Sequence, residues 1–404
     1  MRTAEKTLRG LRGDGRGWTL LIVAAGWLFI SGFRVVLPAL LPQIKADFAI
    51  DNASAGFALT VLWLVYASLQ FPAGLTADRI GERRLLVVGA VAGAIAIGTF
   101  YFSPPFTLFL LACALFGVGS GLFGTPRDML LSRRYPDADS TAYSVTFAAG
   151  SLGAAVLPFV ATAVASRWGW RLAVVWLFVP MLLVSVGLWW AVSSTPANAT
   201  TDRLSARETV RRTAGALTDR SVVFASLAMI VFVFTYQALV AFLPTYLVEV
   251  KGIDQGIAAA LFGLLFVVGA VVQPVVGHFA DRYRERTVVL LVILFSTVSL
   301  LALPFAEGVV ALSVLVPLLG VRIAAAPLAS AFIVRELPTQ VQGAGWGLIR
   351  TLFFALGATG SSVMGLFGDA GLFDAGFVLL AGLTGVAAVV WLRIRWDEGD
   401  RSDG

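Results

Sequence analysis

The chain has 404 residues, of which 58% are hydrophobic and 13% are charged, with a net charge of +6 and a mean hydropathy of +0.86. Soluble domains carry about 25% charged residues, so this composition excludes an ordinary soluble enzyme, a disordered chain and a disulfide scaffold. We expect the surplus of apolar residues to face lipid.

Twelve apolar runs follow one another along the chain, and each is long enough to cross a bilayer as a helix. The runs are too long, and alternate too little, for the strands of a β-barrel. We therefore predict an all-α membrane protein with twelve transmembrane helices. The predicted spans are residues 19–43, 55–76, 85–102, 106–131, 141–165, 170–192, 222–247, 257–280, 287–304, 309–334, 343–367 and 372–394.

Basic residues are distributed unevenly between the two sides of these spans. With a cytoplasmic N-terminus, 23 Arg and Lys residues fall on the cytoplasmic side and 4 on the outer side. Because cytoplasmic loops of membrane proteins are rich in Arg and Lys, both termini are predicted to be cytoplasmic. The first run contains Arg34 and ends without a cleavage site, so we do not interpret it as a signal peptide.

One long polar stretch, residues 193–221, separates the sixth run from the seventh. It predicts three parts: an N-terminal six-helix bundle (1–192), a cytoplasmic linker (193–221) and a C-terminal six-helix bundle (222–404). Residues 203–217 fit either a surface amphipathic helix or a flexible linker.

A short motif occurs twice, after the second and the eighth runs. The first copy starts at Gly74 and continues through Asp78-Arg79 to a basic cluster, and the second starts at Gly277 and continues through Asp281-Arg282. Two copies in matching slots of a six-plus-six layout indicate an internal repeat.

This repeat resembles the major facilitator superfamily, whose two six-helix halves are internal repeats. In that family the motif is a conformational latch. The resemblance assigns this role to Gly74, Asp78, Arg79, Arg83, Arg84, Gly277, Asp281, Arg282 and Arg286. The second copy has Arg284 where a glycine is expected, so we expect its turn to differ.

Two features depart from the family's drug antiporters. The fifth run has Leu157-Pro158 and no Gly-Pro pair, and the fourth lacks the usual arginine near Cys113. Both departures argue against a proton-driven drug antiporter.

Three arginines lie deep within the predicted spans: Arg34, Arg322 and Arg350. An arginine at the bilayer centre costs at least about 2.5–3.5 kcal/mol and usually faces a water-filled cavity. The resemblance places all three on cavity-forming helices. No Asp or Glu is expected at their depth, and the interior is therefore predicted to be electropositive and to favour an anion. For each arginine the alternative is a structural lock between helices.

Polar residues in the same helices are further candidates for substrate hydrogen bonds, although each alone is more often a contact between helices. Those retained as candidates are Tyr66, Tyr236 and Gln237. Arg127 and Asp128 lie near the cytoplasmic end of the fourth run, where pairing with the Asp78 latch is the favoured interpretation.

These observations predict a secondary active transporter of a small solute by alternating access, acting on an organic or inorganic anion as symporter or antiporter. Efflux of drugs or amphiphilic metabolites is the alternative, and a non-transporting membrane sensor is a third hypothesis. We expect a monomer in the plasma membrane, with a small-molecule substrate and a possible coupling ion as partners. No metal site is expected, since the chain has one Cys and one His. No catalytic residue, cofactor or nucleic-acid partner is expected either, because no nucleophile–base pair can be assembled and the arginines lie in short turns between apolar runs.

Overall fold

The computed structural model describes residues 16–136, 138–193, 220–337 and 342–394, except the side chains of Asp78, Asp139, Ser140, Asp281 and residues 342–344. Residues 194–219 of the predicted linker lie outside these ranges. Within them, all regular structure is helical. The helices are α1 (Arg16–Phe48), α2 (Asn52–Ile80), α3 (Glu82–Tyr101), α4 (Phe106–Arg134), α5 (Asp139–Val175), α6 (Phe178–Ala191), α7 (Arg220–Glu249), α8 (Gln255–Arg282), α9 (Glu285–Ala302), α10 (Gly308–Glu336), α11 (Gln342–Asp369) and α12 (Phe373–Leu392).

Eleven stretches of the described chain are long and apolar enough to cross a membrane, and one of them, Thr141–Ala191, has 51 residues. A straight helix of that length would measure about 75 Å, more than twice the ~30 Å hydrocarbon core. Gly169, which lies inside α5, breaks this stretch with φ +82°, a conformation that glycine adopts without a Cβ clash. The stretch therefore makes two passes, of which the second consists of the part of α5 after Gly169 together with α6. The described chain thus contains the twelve predicted passes.

The tenth pass is not the continuous helix that its sequence predicts. α10 consists of Gly308–Leu318, a 3-10 segment Leu319–Ala324, and Ala325–Glu336. Pro317 lies two residues before this segment and cannot donate a backbone hydrogen bond. Arg322 belongs to the 3-10 segment.

Many large apolar side chains point away from the helix interfaces. Trp190, Val310 and Phe305 are 84%, 82% and 76% exposed, which suits side chains that face lipid tails. The single cysteine, Cys113, is buried in α4.

The first six helices contact the last six chiefly through α2 with α11 and α5 with α8. Close backbone approach makes the α2–α11 contact tight, because a Cβ on Gly365 would lie 2.3 Å from the Asn52 carbonyl oxygen. Small residues promote helix packing in membranes in this way.

Polar contacts between the two sets of helices gather at one end of the molecule, which we call the Lys45 end. Lys45 Nζ donates to both carboxylate oxygens of Glu249 at 2.8 and 2.9 Å. Gln43 Nε2 donates to Gln255 Oε1 at 3.0 Å. These bonds join α1 to the end of α7 and the start of α8.

At the same end, the carboxylate of Asp369 lies against the N-terminus of α2. The backbone amides of Asn52 and Ala53 donate to its two oxygens at 2.7 and 2.8 Å. A carboxylate there is stabilised by the helix dipole. The neighbouring N-cap Asp51 accepts from the Ser54 amide at 2.8 Å, and hydrogen bonds from Ser54 lower the pKa of Asp51.

Candidate functional site

Arg34 projects from α1 into a group of aromatic rings. Its guanidinium carbon lies 4.2 Å from the centre of the Tyr66 ring, 4.7 Å from that of Trp63 and 5.4 Å from that of Trp27. Such contacts stabilise a cation by about 0.5–2 kcal/mol each, and so offset part of the cost of burying it. These ring contacts do not take the place of hydrogen-bond acceptors, however. Arg34 Nε and Nη2 have no hydrogen-bond partner among the described residues.

A carboxylate on α4 joins two further guanidinium groups beside this one. Asp128 Oδ1 accepts from Arg127 Nε at 2.9 Å and Nη2 at 2.5 Å. Asp128 Oδ2 lies 3.5 Å from Arg350 Nη1 of α11. Arg350 Nη2 also donates to the Tyr66 hydroxyl at 3.3 Å, so α2, α4 and α11 meet at one polar group.

The arginine cluster, as we call it, consists of Arg34, Arg127, Arg350, Asp128 and Tyr66. Arg34 lies within electrostatic range of both other guanidinium groups. Asp128 is the carboxylate that the described residues supply, so the charged groups sum to about +2. The side chains of Asp128 and Arg350 remain 24% and 21% exposed, which leaves them open to a small solute.

The prediction that no acid reaches the interior arginines is wrong for Arg350. It counted positions along each helix and placed Asp128 near a helix end. It did not allow for the length of an arginine side chain, which reaches from α11 to the acid on α4. The predicted pairing of Arg127 and Asp128 with Asp78 falls on a side chain outside the described residues.

The aromatic part of the cluster was not predicted from the sequence. Trp63 and Tyr66 lie three residues apart on α2, and their rings meet edge to face at 5.3 Å. Trp27 and Arg34 lie seven residues apart on α1. Both spacings put side chains on one helix face, which was the available signal.

Arg322 occupies a separate position, at the contact between α10 and α7. Its Nη2 donates to Thr235 Oγ1 at 2.6 Å and its Nη1 to the Thr235 carbonyl oxygen at 3.4 Å. The guanidinium carbon is 5.3 Å from the Phe232 ring centre. Arg322 is 1% exposed, and its Nε has no partner among the described residues. This guanidinium therefore joins two helices and keeps one donor unfilled.

The two remaining candidates lie on α7 and face different neighbours. Tyr236 is within electrostatic range of both Arg322 and Arg34. Gln237 is 2% exposed. Its carbonyl oxygen accepts from Ser361 of α11 at 3.4 Å, while its Nε2 has no described partner.

Residues 22–361 match the profile of the Major Facilitator Superfamily. The chain belongs to this superfamily. It is similar to the hexuronate transporter of Bacillus subtilis, with 22% identity over 91% of this chain and 93% of that protein. It is also similar to the multidrug efflux pump LfrA of Mycolicibacterium smegmatis, with 30% identity over 44% of this chain and 36% of that protein.

The fold is shared with solved structures of superfamily transporters. A mutant of the nucleoside transporter NupG superposes with a TM-score of 0.79 and 15% identity, over 94% of this chain and all of that one. The chain is therefore a multi-pass membrane transporter, and its relatives differ in what they carry.

The two loop motifs of the superfamily have different turns, as their sequences predict. Gly81 has φ +88° between α2 and α3, whereas Arg284, at the equivalent position, has φ −66°. Gly74 lies close to α4, since a Cβ there would be 3.3 Å from Thr125 Cγ2, but Gly277 has nothing within 4 Å. The second glycine therefore does not mark a close helix approach.

The basic residues of the motifs make contacts within their own sets of six helices. Arg83 lies 4.1 Å from the Trp189 ring centre, and Arg286 Nη2 donates to the Leu392 carbonyl oxygen at 2.7 Å. Arg79, Arg84 and Arg282 are exposed. The side chains of Asp78 and Asp281 are outside the described residues, so their latch role stays a prediction.

Each motif also supplies a buried glutamate that the sequence analysis did not single out. Arg133 Nη1 of α4 donates to Glu82 Oε1 at 2.5 Å, and Arg335 Nη2 of α10 donates to Glu285 Oε2 at 2.5 Å. In both sets the first turn of one helix is joined to the last turn of the next. The internal repeat thus extends from sequence to side-chain contacts.

Proposed function

We propose that this transporter carries a small anion by alternating access, and that the arginine cluster binds the anionic group. The observation that carries the proposal is the charge imbalance in the cluster, where the described residues supply three guanidinium groups and one carboxylate, which pairs with Arg127 and Arg350. The donors of Arg34 and Arg127 that have no partner among the described residues offer an anion charge-assisted hydrogen bonds, which are stronger than neutral ones. The hexuronate transporter, a relative over most of both chains, supports a carboxylate as the anionic group.

In this proposal Arg34 and Arg350 contact the solute directly, and Tyr66 fixes the orientation of both. The Tyr66 ring lies under Arg34, and its hydroxyl accepts from Arg350. Arg127 holds Asp128 in place from the same helix. A solute anion would accept hydrogen bonds from Arg34 Nε and Nη2 and compete with Asp128 for Arg350.

The predicted orientation completes the proposal. Most Arg and Lys residues lie on the side of the spans opposite to the Lys45 end. This excess supports placing the Lys45 end outside the cell and both termini in the cytoplasm. The two sets of six helices would then rock about the arginine cluster, which lies where they meet, and the segment 193–221 would join them.

A binding and transport experiment tests this function. The purified protein is screened by thermal shift against carboxylates, inorganic phosphate and sulfate, and uptake of any stabilising anion is measured in vesicles. Stabilisation should be lost in Arg34→Gln and Arg350→Gln. Arg393→Gln, which changes an exposed arginine after α12, is the matched control and should bind as the wild type does.

Drug or amphiphile efflux is the second candidate function, and the aromatic side chains beside the arginine cluster favour it. Phe147 is 51% exposed and lies 5.2 Å from Arg127, while Trp63 and Phe354 stack at 5.9 Å. The partial likeness to LfrA agrees with this reading. Stabilisation by cationic amphiphiles, with no response to any anion, would select efflux and reject the anion proposal.

A further inference from the structure

Deeply placed guanidinium nitrogens without a described hydrogen-bond partner occur on both sets of helices. In the first set they include Arg34 Nε and Nη2 and Arg127 Nη1. In the second set Arg322 Nε is buried and has no acceptor among the described residues. All these atoms are N–H donors on positive groups, so each calls for an electron-rich partner.

Arg322 is less well compensated than Arg350. Its acceptors in the described chain are the neutral hydroxyl and carbonyl of Thr235, and no described carboxylate lies within 4.0 Å of it. Arg350, by comparison, has Asp128. A 1% exposed guanidinium without a counter-charge is costly, and such residues in membrane proteins commonly mark a solute path.

Tyr236 connects this position to the arginine cluster. It is the chain neighbour of Thr235, which holds Arg322, and its ring stacks on Phe232 at 6.2 Å between centres. α11, which carries Arg350, packs closely on the same part of α7, since a Cβ on Gly360 would lie 2.2 Å from the Phe234 carbonyl oxygen. Tyr236 is also within electrostatic range of Arg34 on α1.

We propose that the solute is a dianion with two separated anionic ends, one bound at the arginine cluster and the other at Arg322. This inference rests on the proposed anion function and adds the requirement for a second charge. Because Arg322 is buried, its end of the solute is engaged when the two sets of helices enclose the solute between them. A solute that touches both sets couples their movement, as alternating access about a midplane site requires.

The wild-type protein alone provides the first test. Straight-chain monocarboxylates and α,ω-dicarboxylates of two to six carbons are compared by thermal shift and by competition for uptake, with sulfate as a compact dianion. A dicarboxylate of suitable length should bind roughly tenfold or more tightly than the monocarboxylate of the same length. Equal binding of the two series overturns the dianion inference and leaves the anion function standing. No response to any of these anions rejects both.

Variants then separate a binding role of Arg322 from a structural one. Arg322→Gln should remove the preference for dicarboxylates while monocarboxylates still bind, and Arg322→Lys, which keeps the charge, should retain part of it. Thr235→Val removes the helix-joining hydroxyl and keeps the guanidinium, so it should lower thermal stability with the preference intact. If Arg322→Gln and Arg322→Lys lower stability and leave the dianion preference unchanged, Arg322 is a lock and the inference fails. Arg393→Gln is again the control.

Discussion

The guanidinium groups of the arginine cluster are stabilised by different kinds of contact. At Arg34 the aromatic rings stabilise the cation but accept none of its free N–H groups, whereas at Arg350 a hydroxyl and a carboxylate accept directly. Tyr66 serves both, through its ring for Arg34 and its hydroxyl for Arg350. The two contributions can be measured separately.

Replacing Tyr66 by Phe removes the hydroxyl and keeps the ring. We expect Tyr66→Phe to cost about 0.5–1.5 kcal/mol of stability and to weaken anion binding modestly. Tyr66→Ala also removes the ring beneath Arg34 and should cost about 3 kcal/mol or more. Thermal unfolding in detergent, with and without anion, measures both variants. Equal losses for Phe and Ala would show that the ring contributes nothing.

Asp128 is an anion that the protein itself places in the arginine cluster. We expect Asp128→Asn to bind a solute anion about tenfold more tightly, since Arg350 and Arg127 lose the carboxylate that competes for them. Calorimetric titration compares this variant with Asp47→Asn, which removes an exposed partner of Arg171. Weaker binding in Asp128→Asn would mean that the carboxylate orients the arginines more than it competes with the solute.

Among the helices, the two Glu–Arg contacts show how the repeat is stabilised. Glu82 and Glu285 are 1% and 7% exposed and lie in the first turns of α3 and α9. Each joins the next helix through an arginine 51 or 50 residues further along the chain. The second oxygen of each carboxylate has no described partner. Each buried carboxylate therefore depends on its arginine for charge compensation and for a hydrogen bond.

Removing either arginine should destabilise its own set of helices. We expect Arg133→Gln and Arg335→Gln each to cost about 1–3 kcal/mol, because a buried carboxylate loses its charged partner. Thermal unfolding of both variants should give similar losses, and Arg84→Gln, at an exposed position, should give almost none. A loss in one variant alone would show that the two contacts are not equivalent.

For the whole molecule, the Lys45 end must open if the transporter is to expose its cluster alternately. Cysteines at Gln43 and Gln255, whose side chains bond at 3.0 Å, can be joined by a short bifunctional thiol reagent. We expect this cross-link to abolish transport while anion binding to the purified protein persists. Cys113 is buried, so the wild-type chain is the control for reagent effects. Full transport after complete cross-linking would exclude opening at this end.

The sequence predicted the passes and the helices that carry the cluster, because apolar length and an internal repeat are local properties. It did not predict that Arg350 meets Asp128 or that Tyr66 meets both arginines. Those contacts depend on the rotation of α2, α4 and α11 about their axes, which no single helix determines. The interruption of α10 was also missed, since Pro317 lies in an apolar run that otherwise resembles any membrane helix.

The 3-10 segment of α10 has a consequence for movement. A 3-10 helix rises about 2.0 Å per residue and an α-helix 1.5 Å. The six residues Leu319–Ala324 are therefore roughly 3 Å longer than the same residues in an α-helix. A change of this segment from 3-10 to α-helix would shorten α10 and move its Glu336 end toward the segment. It would also rotate the Arg322 side chain about the helix axis, while the α-helices on both sides stay intact.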